Sequence, residues 1–333
     1  MKRFNTCALF ALAVSAFCLM GFVHVPENPE IKITRFYGGR AAAVCYSFDD
    51  GLQNQVDQAI PLLNKYDFKA TFFIIPAKIR NANGTDASGK LGSEDNMTWD
   101  EVRQMAANGH EIASHSWSHT KNLKTLSDAK LQEEIDLADS LILKETGIFP
   151  QTFAYPWNGF DSHVHDAVYQ HHIAAREAQF GIGAKFTTEE GNAWIDQLII
   201  NQTWGITMIH GITKNFDALS SPDVLDRHFK YVKSLDQQIW VTTYASIFKY
   251  ITERDSTAVH VSYHSAHHLV CTLSNRLNTK IYNQPLTLAV DCKQPIIKPI
   301  VLQAGRQLPA ILQHRNVILV NVSPVAGPVD ISW

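Results

Sequence analysis

Residues 41–51 read "AAAVCYSFDDG". Up to Phe48 the run is apolar or small, without the polar–apolar alternation of a half-exposed strand. That is the pattern of a strand buried on both faces of a parallel sheet. It ends at two adjacent aspartates and a glycine. Neighbouring strand residues point to opposite faces, so Asp49 and Asp50 can share one site only if the backbone bends, and Gly51 permits the bend. Taken alone, an Asp-Gly turn with a spare acid is the simpler reading.

Outward from this strand the chain alternates. "QVDQAIPLLNKY" (55–66) has helical periodicity and "KATFFII" (69–75) is strand-like. "TWDEVRQMAANG" (98–109) opens with the capping-box pair Thr98 and Glu101 and stops at Gly109. "SDAKLQEEIDLADSLILKETG" (127–147) is amphipathic, with Ser127 as expected N-cap. A strand stop (151–156), a helix (161–172), a short strand "WGITMIHG" (204–211), a helix (221–236) and a strand–helix pair (238–254) follow. Alternating β and α elements imply a parallel sheet, open or closed into a barrel. The polar loop "NANGTDASGKLGSEDN" (81–96) reads as a functional rim or lid, or equally as a surface insertion. Beyond Arg254 only short β-rich runs remain, such as "LTLAVDC" and "NVILVNVS". The expected organisation is an α/β domain over 35–254 and a small all-β, sandwich-like domain over 256–333.

Lys2 and Arg3 precede the apolar run "CALFALAVSAFCLMGFV" (7–23), which reads as an export signal over residues 1–23. The expected destination is periplasmic or secreted, free or anchored, with no spanning segment once the signal is removed. With 18% charged residues, a net charge of −3 and no long basic run, a nucleic-acid footprint is excluded. Oligomeric state is not set by the sequence. Cys45 reads as a core residue, while Cys271 and Cys292 could pair in an oxidising compartment.

In parallel α/β folds reactive groups collect at the C-terminal ends of strands. "SHSWSHT" (114–120) places His115 and His119 four apart, which brings two imidazoles together on a helix or a curled loop, as a divalent metal requires. His110 in "GHEIASH" stands one residue out of the HExxH spacing and reads as structural. In "FAYPWNG" (153–159), Pro156 and Gly159 can shape a rigid loop that aims backbone N–H groups at an oxyanion. His210 in "ITMIHG" ends an apolar strand, where an imidazole can act near neutral pH. Each histidine by itself is equally a surface or structural residue.

Together "SFDDG", "ATFFI", "GHEIASHSWSH", "FAYPWNG" and "MIHG" resemble the polysaccharide deacetylases, carbohydrate esterase family 4, over residues 35–254. The resemblance implies a distorted (β/α) barrel with an open site for one divalent metal, usually zinc, held by Asp50, His115 and His119. It implies Asp49 as general base and His210 as general acid. Trp157 would supply an oxyanion-hole N–H, with Tyr155 and Met208 as further oxyanion or substrate contacts. Two features depart from the family pattern. Ala154 stands where an arginine supports the base, and Arg176 in "AAREAQ" is the hypothetical substitute cation. A fourth motif is not placed: Trp194, Asp196 and Trp204 are its candidates, each equally readable as part of a packed aromatic core. The implied activity is acetyl removal from a carbohydrate partner, either N-acetyl from GlcNAc-type glycans or O-acetyl from a polymer such as xylan. The alternatives are hydrolysis of a cyclic amide or imide, and a catalytically silent carbohydrate-binding protein. Retention of both aspartates and all three histidines argues against the silent form.

Overall fold

The computed structural model describes residues 28–333; the export signal expected over 1–23 lies outside them. β1 (Glu30–Ile33) opens the described chain. The opening stretch follows as two strands, β2 (Ala42–Cys45) and β3 (Ser47–Asp50), where the sequence suggests one. The break at Tyr46 has a pairing cause. Along one edge Val44 O accepts from Thr242 N–H, but Tyr46 O accepts from Thr71 N–H, so the neighbouring strand changes mid-run.

The helical stretch after Gly51 begins as a π-turn (Gln55–Ala59) and continues as α1 (Ile60–Tyr66). Then come β4 (Thr71–Ile74), α2 (Trp99–Ala107), β5 (Glu111–Ser114), α3 (Asp128–Thr146) and β6 (Thr152–Ala154). α2 carries the Thr98–Glu101 capping box, whereas Ser127 makes no side-chain cap to α3. α4 (Ser162–Val168) is shorter than its sequence pattern, because the chain turns from Tyr169 onward. β7 (Ala174–Arg176), β8 (Phe180–Ile182) and α5 (Thr188–Ile200) were not anticipated. β9 (Trp204–Ile209), α6 (Pro222–Ser234), β10 (Ile239–Val241) and α7 (Tyr244–Ser256) complete the unit.

β2 to β10 form one nine-stranded sheet in the order β10-β2-β9-β3-β4-β5-β6-β7, with β8 on the other edge of β9. Every pairing in it is parallel. β7 pairs with β6 and β8 with β9, but not with each other, which leaves a distorted, incompletely closed barrel. Helical residues such as Leu63, Val102, Leu225 and Phe229 pack on the outer face against Val44, Phe48 and Phe72. The barrel interior is lined by small residues, Ala43, Cys45, Ala113, Ala154 and Ala174, around Phe73. Small interior side chains let polar groups at the strand ends converge.

The C-terminal region is all β: β11 (Ala258–Ser265), β12 (His268–Ser274), β13 (Leu286–Asp291), β14 (Ile300–Gln303), β15 (Arg306–Leu308), β16 (Ala310–Gln313), β17 (Val317–Val322) and β18 (Val329–Ser332). Two sheets, β1-β13-β17-β16 and β11-β12-β18-β14-β15, share one apolar core that includes Leu288, Val320 and Ile331. β1, from before the barrel, pairs antiparallel with β13, a non-local contact that leaves no local sequence signal. Cys271 and Cys292 are free thiols buried in that core, not a disulfide. Among the described residues no helix is long and apolar enough to cross a membrane.

Candidate active site

The two aspartates of the opening stretch reach one site because the backbone leaves strand geometry at once. Asp50 has φ 76° and Gly51 φ 72°, the left-handed region that favours glycine. A Cβ at Gly51 would also stand 2.8 Å from Ile79 Cδ1, so residue 51 is restricted by conformation and by space. The bend brings Asp50 level with Asp49 at the C-terminal end of β3.

The loop after β5 curls through two further left-handed residues, Ser116 (φ 61°) and His119 (φ 59°). Ser116 Oγ accepts from His119 N–H at 3.1 Å, and the Glu134 carboxylate of α3 accepts from Ser118 N–H and Oγ. His115 and His119 thereby face one another with ring centroids 4.6 Å apart. His115 Nδ1 bonds the Ala154 carbonyl at 2.8 Å, which commits its proton there and leaves Nε2 free toward the site. Nε2 of His115 lies 3.8 Å and Nε2 of His119 3.6 Å from Asp50 Oδ1. Among the described residues Asp50, His115 and His119 are the one group of three ligand-type side chains whose donor atoms all lie within 4.8 Å.

These residues fit a divalent metal. Asp50 Oδ1 is buried with no hydrogen-bond partner, a state that costs free energy unless a cation or water meets it. Burial lowers the pKa of both imidazoles to about 4, with the Lys78 charge adding to the effect at His119. Both are neutral at pH 7, as metal ligation requires.

Asp49 is 1% exposed. Arg176, at the end of β7, grips it with both terminal nitrogens; Nη1 lies 2.7 Å from Asp49 Oδ1 and 2.9 Å from Ser47 Oγ. The guanidinium also lies over the Phe73 ring at 5.0 Å. Burial alone would raise the Asp49 pKa, but the charge and hydrogen bonds of Arg176 outweigh it and hold the carboxyl below its ordinary value. His210 Nε2 stands 4.0 Å and His115 Nε2 3.9 Å from Asp49 Oδ2. Buried Gln55, at the start of the π-turn, donates to the carbonyls of Asp49 (2.6 Å) and His210 (3.0 Å) and so ties the two strand ends together.

The groups line a pocket of about 450 Å³ that holds Asp49, Asp50, His115, His119, Tyr155, Trp157, Met208 and His210. Trp157 (φ 58°) and Asn158 (φ 53°) both adopt left-handed backbone after Pro156, a strained turn of the kind that collects at functional sites. Asn158 N–H is used on Tyr155 O at 3.0 Å, but no acceptor for Trp157 N–H is found among the described residues. Tyr155 is stacked on Phe160 at 4.4 Å, and its buried hydroxyl is unpartnered.

Three candidates for a further motif lie elsewhere. Trp194 stacks on Phe180 at 4.5 Å, Asp196 accepts from Tyr231, and Trp204 packs on Tyr244. None of the three lines this pocket. Lys78, Asn158, Phe216 and Asp217 line it without having been singled out in the sequence. The position of Lys78 just beyond a strand, and the loop following His210, were the available signals.

A family profile described as polysaccharide deacetylase matches residues 38–175. Over these residues the chain is similar to the polysaccharide deacetylase family. Over 94% of the chain the sequence is 23% identical to a gellan lyase of a Bacillus species, of which it covers 14%. A peptidoglycan-N-acetylglucosamine deacetylase of Listeria monocytogenes is 24% identical over 47% of this chain and 29% of its own length. The chain therefore spans a minor part of both relatives. Among solved structures, a candidate polysaccharide deacetylase from Mycobacterium smegmatis shares the fold, with a TM-score of 0.51 and 13% identity over 67% of this chain and 94% of that one. The profile match ends just before Arg176, the residue paired with Asp49.

Proposed function

We propose that the protein is an exported, metal-dependent hydrolase that removes acetyl groups from a carbohydrate. The reading rests on one observation: the Asp50–His115–His119 group stands beside the Arg176-paired Asp49 and His210 in a single pocket at the strand ends. Binding alone needs no ionised carboxylate and imidazole flanking a ligand triad.

Asp50, His115 and His119 would hold one divalent ion, most simply zinc, with a position open to solvent or substrate. When bound, the ion supplies Lewis-acid polarisation of the acetyl carbonyl and acidifies water. Asp49, kept ionised by Arg176, takes the proton of the attacking water. The Trp157 N–H would donate to the oxyanion that develops on the acetyl carbonyl oxygen. His210 gives its proton to the departing amine or alkoxide. Groups in the positions of Asp49 and His210 contribute roughly 10²–10⁴-fold each. Acetate and a deacetylated sugar are the products.

The same chemistry serves an N-acetyl or an O-acetyl substrate. Acetate release from N-acetylchitooligosaccharides and from acetylated xylan, after determination of bound metal, tests the reading. Wild type should release acetate from at least one, Asp49→Asn should lose activity while keeping its metal, and Asp50→Asn should lose the metal. A metal-loaded protein that hydrolyses neither would sink it.

A further inference from the structure

Residues 211–219, between β9 and α6, are built at visible conformational cost. Thr213 (φ 66°), Asn215 (φ 76°) and Asp217 (φ 43°) all take left-handed backbone without being glycine. Such strain persists only where surrounding structure over-determines it. Here the over-determination is concrete. Asn54, 1% exposed, accepts from Ile212 N–H at 3.1 Å and donates to Lys214 O at 3.2 Å and to Asn215 Oδ1. Asp217 accepts from Ala184 N–H at 3.0 Å. A Cβ at Gly183 would stand 2.0 Å from Asp217 Oδ2, and one at Gly211 only 1.8 Å from Lys214 O. Gly211 therefore excludes a side chain, whereas one at Gly183 would have to displace the Asp217 carboxylate.

What this framework presents is Phe216. Its ring is 67% exposed and stands edge-on to His210 at 5.1 Å between centroids. In the same pocket Trp157, 55% exposed, packs near His119 at 5.6 Å, with Lys121 Nζ 4.2 Å from its ring centroid. One aromatic flanks the histidine expected to protonate the leaving group, and the other flanks the metal-ligand group. An exposed phenyl ring held by a strained loop gains nothing for the core. It offers a flat apolar face beside polar groups, which matches a pyranose, whose axial C–H bonds form an apolar face and whose hydroxyls project sideways.

The geometry points to Phe216 as a substrate-specificity residue: its ring stacks on the pyranose that carries the departing group, Trp157 lines the same pocket beside the metal-ligand group, and Asn54 is the buried residue that positions the loop. This rests on the deacetylase reading but commits further, to a ring sugar rather than an acyclic or small cyclic amide.

The test separates the two readings. In an Asp49→Asn background, calorimetric binding of N-acetylchitohexaose and of acetylated xylohexaose to the metal-loaded protein reads stacking without turnover. Phe216→Ala should weaken binding of the recognised oligosaccharide about tenfold, while Phe216→Tyr stays within about twofold. In the active protein Phe216→Ala should cost about ten times more in kcat/KM on that oligosaccharide than on 4-nitrophenyl acetate, chiefly through KM. Equal affinity of Phe216→Ala and its parent, or equal losses on sugar and small ester, overturns the proposal even if acetate release is established. Sugar binding that depends on Phe216 without any acetate release overturns the deacetylase reading instead. No binding of either oligosaccharide overturns the stacking role.

Discussion

Tyr46 and Asp49 lie on the same short run of chain, and each sinks a polar group into the protein against a partner distant in sequence. Tyr46 Oη meets His228 Nε2 at 2.7 Å, and His228 Nδ1 meets Asn192 Oδ1 at 2.9 Å. Because the amide oxygen can only accept, the proton sits on Nδ1 and Nε2 accepts from the tyrosine. This cluster is uncharged, lodged between the sheet and α6 among Phe68 and Phe229. Asp49 instead meets the permanent charge of Arg176, equally buried, at the open end of the barrel. The uncharged cluster satisfies its hydrogen bonds and avoids the desolvation cost of an ion. The charged one accepts that cost, which replacement by apolar residues would often remove without loss of stability. An ion pair retained in such a place is explained by chemistry that needs an ionised carboxylate.

The largest effect should come from breaking the charged pair on one side. Arg176→Ala leaves Asp49 buried without its cation and should cost about 3–5 kcal/mol of stability by urea denaturation. Turnover of the folded fraction should fall at least about a hundredfold if Asp49 is the base, with metal content retained. Arg176→Lys keeps the charge but not the two-pronged grip and should fall between the two. Unchanged turnover in Arg176→Ala would remove the idea that this arginine supports the base.

An intermediate effect is expected from pH acting on the uncharged cluster. Burial lowers the His228 pKa from 6.5 to about 4. Between those values the unfolded chain binds a proton that the folded chain refuses, so stability falls as pH drops below about 6.5. For this one imidazole the loss from pH 7 to pH 5 should be about 2 kcal/mol. His110, also lowered to about 4 by burial, should add its own slope. The difference in urea midpoint between wild type and His228→Gln at the two pH values isolates the His228 share. Parallel pH dependences in both proteins would show that His228 is not held neutral.

The contrast also marks what the sequence could disclose. The strand ends at Asp50, Ser114 and Ile209 were legible because apolar runs stop abruptly beside reactive residues. The pairing of Arg176 with Asp49 was not, because β7 is three residues long and shows no periodicity. Arg176 could be named only as a substitute for the residue missing at Ala154. Phe216 was marked only by its place in the loop after His210, since a loop of Lys, Asn and Asp around one aromatic reads as ordinary surface until the backbone is known. Trp194 and Trp204, readable in the sequence either as a further motif or as packed aromatic core, take the second role away from the pocket. β1 was invisible for a topological reason, as its partner β13 lies more than two hundred residues onward.

The smallest effect should come from Tyr46→Phe. The ring keeps its contacts with Phe68 and Phe229, whose centroids lie 6.3 and 4.6 Å away, so no cavity opens. Only one O–H is lost, and His228 Nε2 is left facing an apolar edge, at a cost of about 1–2 kcal/mol. The same deletion tests why Tyr46 breaks the opening strand. If the break is set by the change of pairing partner at Tyr46 O, the backbone bond to Thr71 N–H survives the loss of the hydroxyl. Asp49 and Asp50 then keep their places, and metal content and acetate release per folded molecule should match wild type. A variant that stays folded but loses metal would show that the tyrosine hydroxyl, through His228, also holds the end of β3.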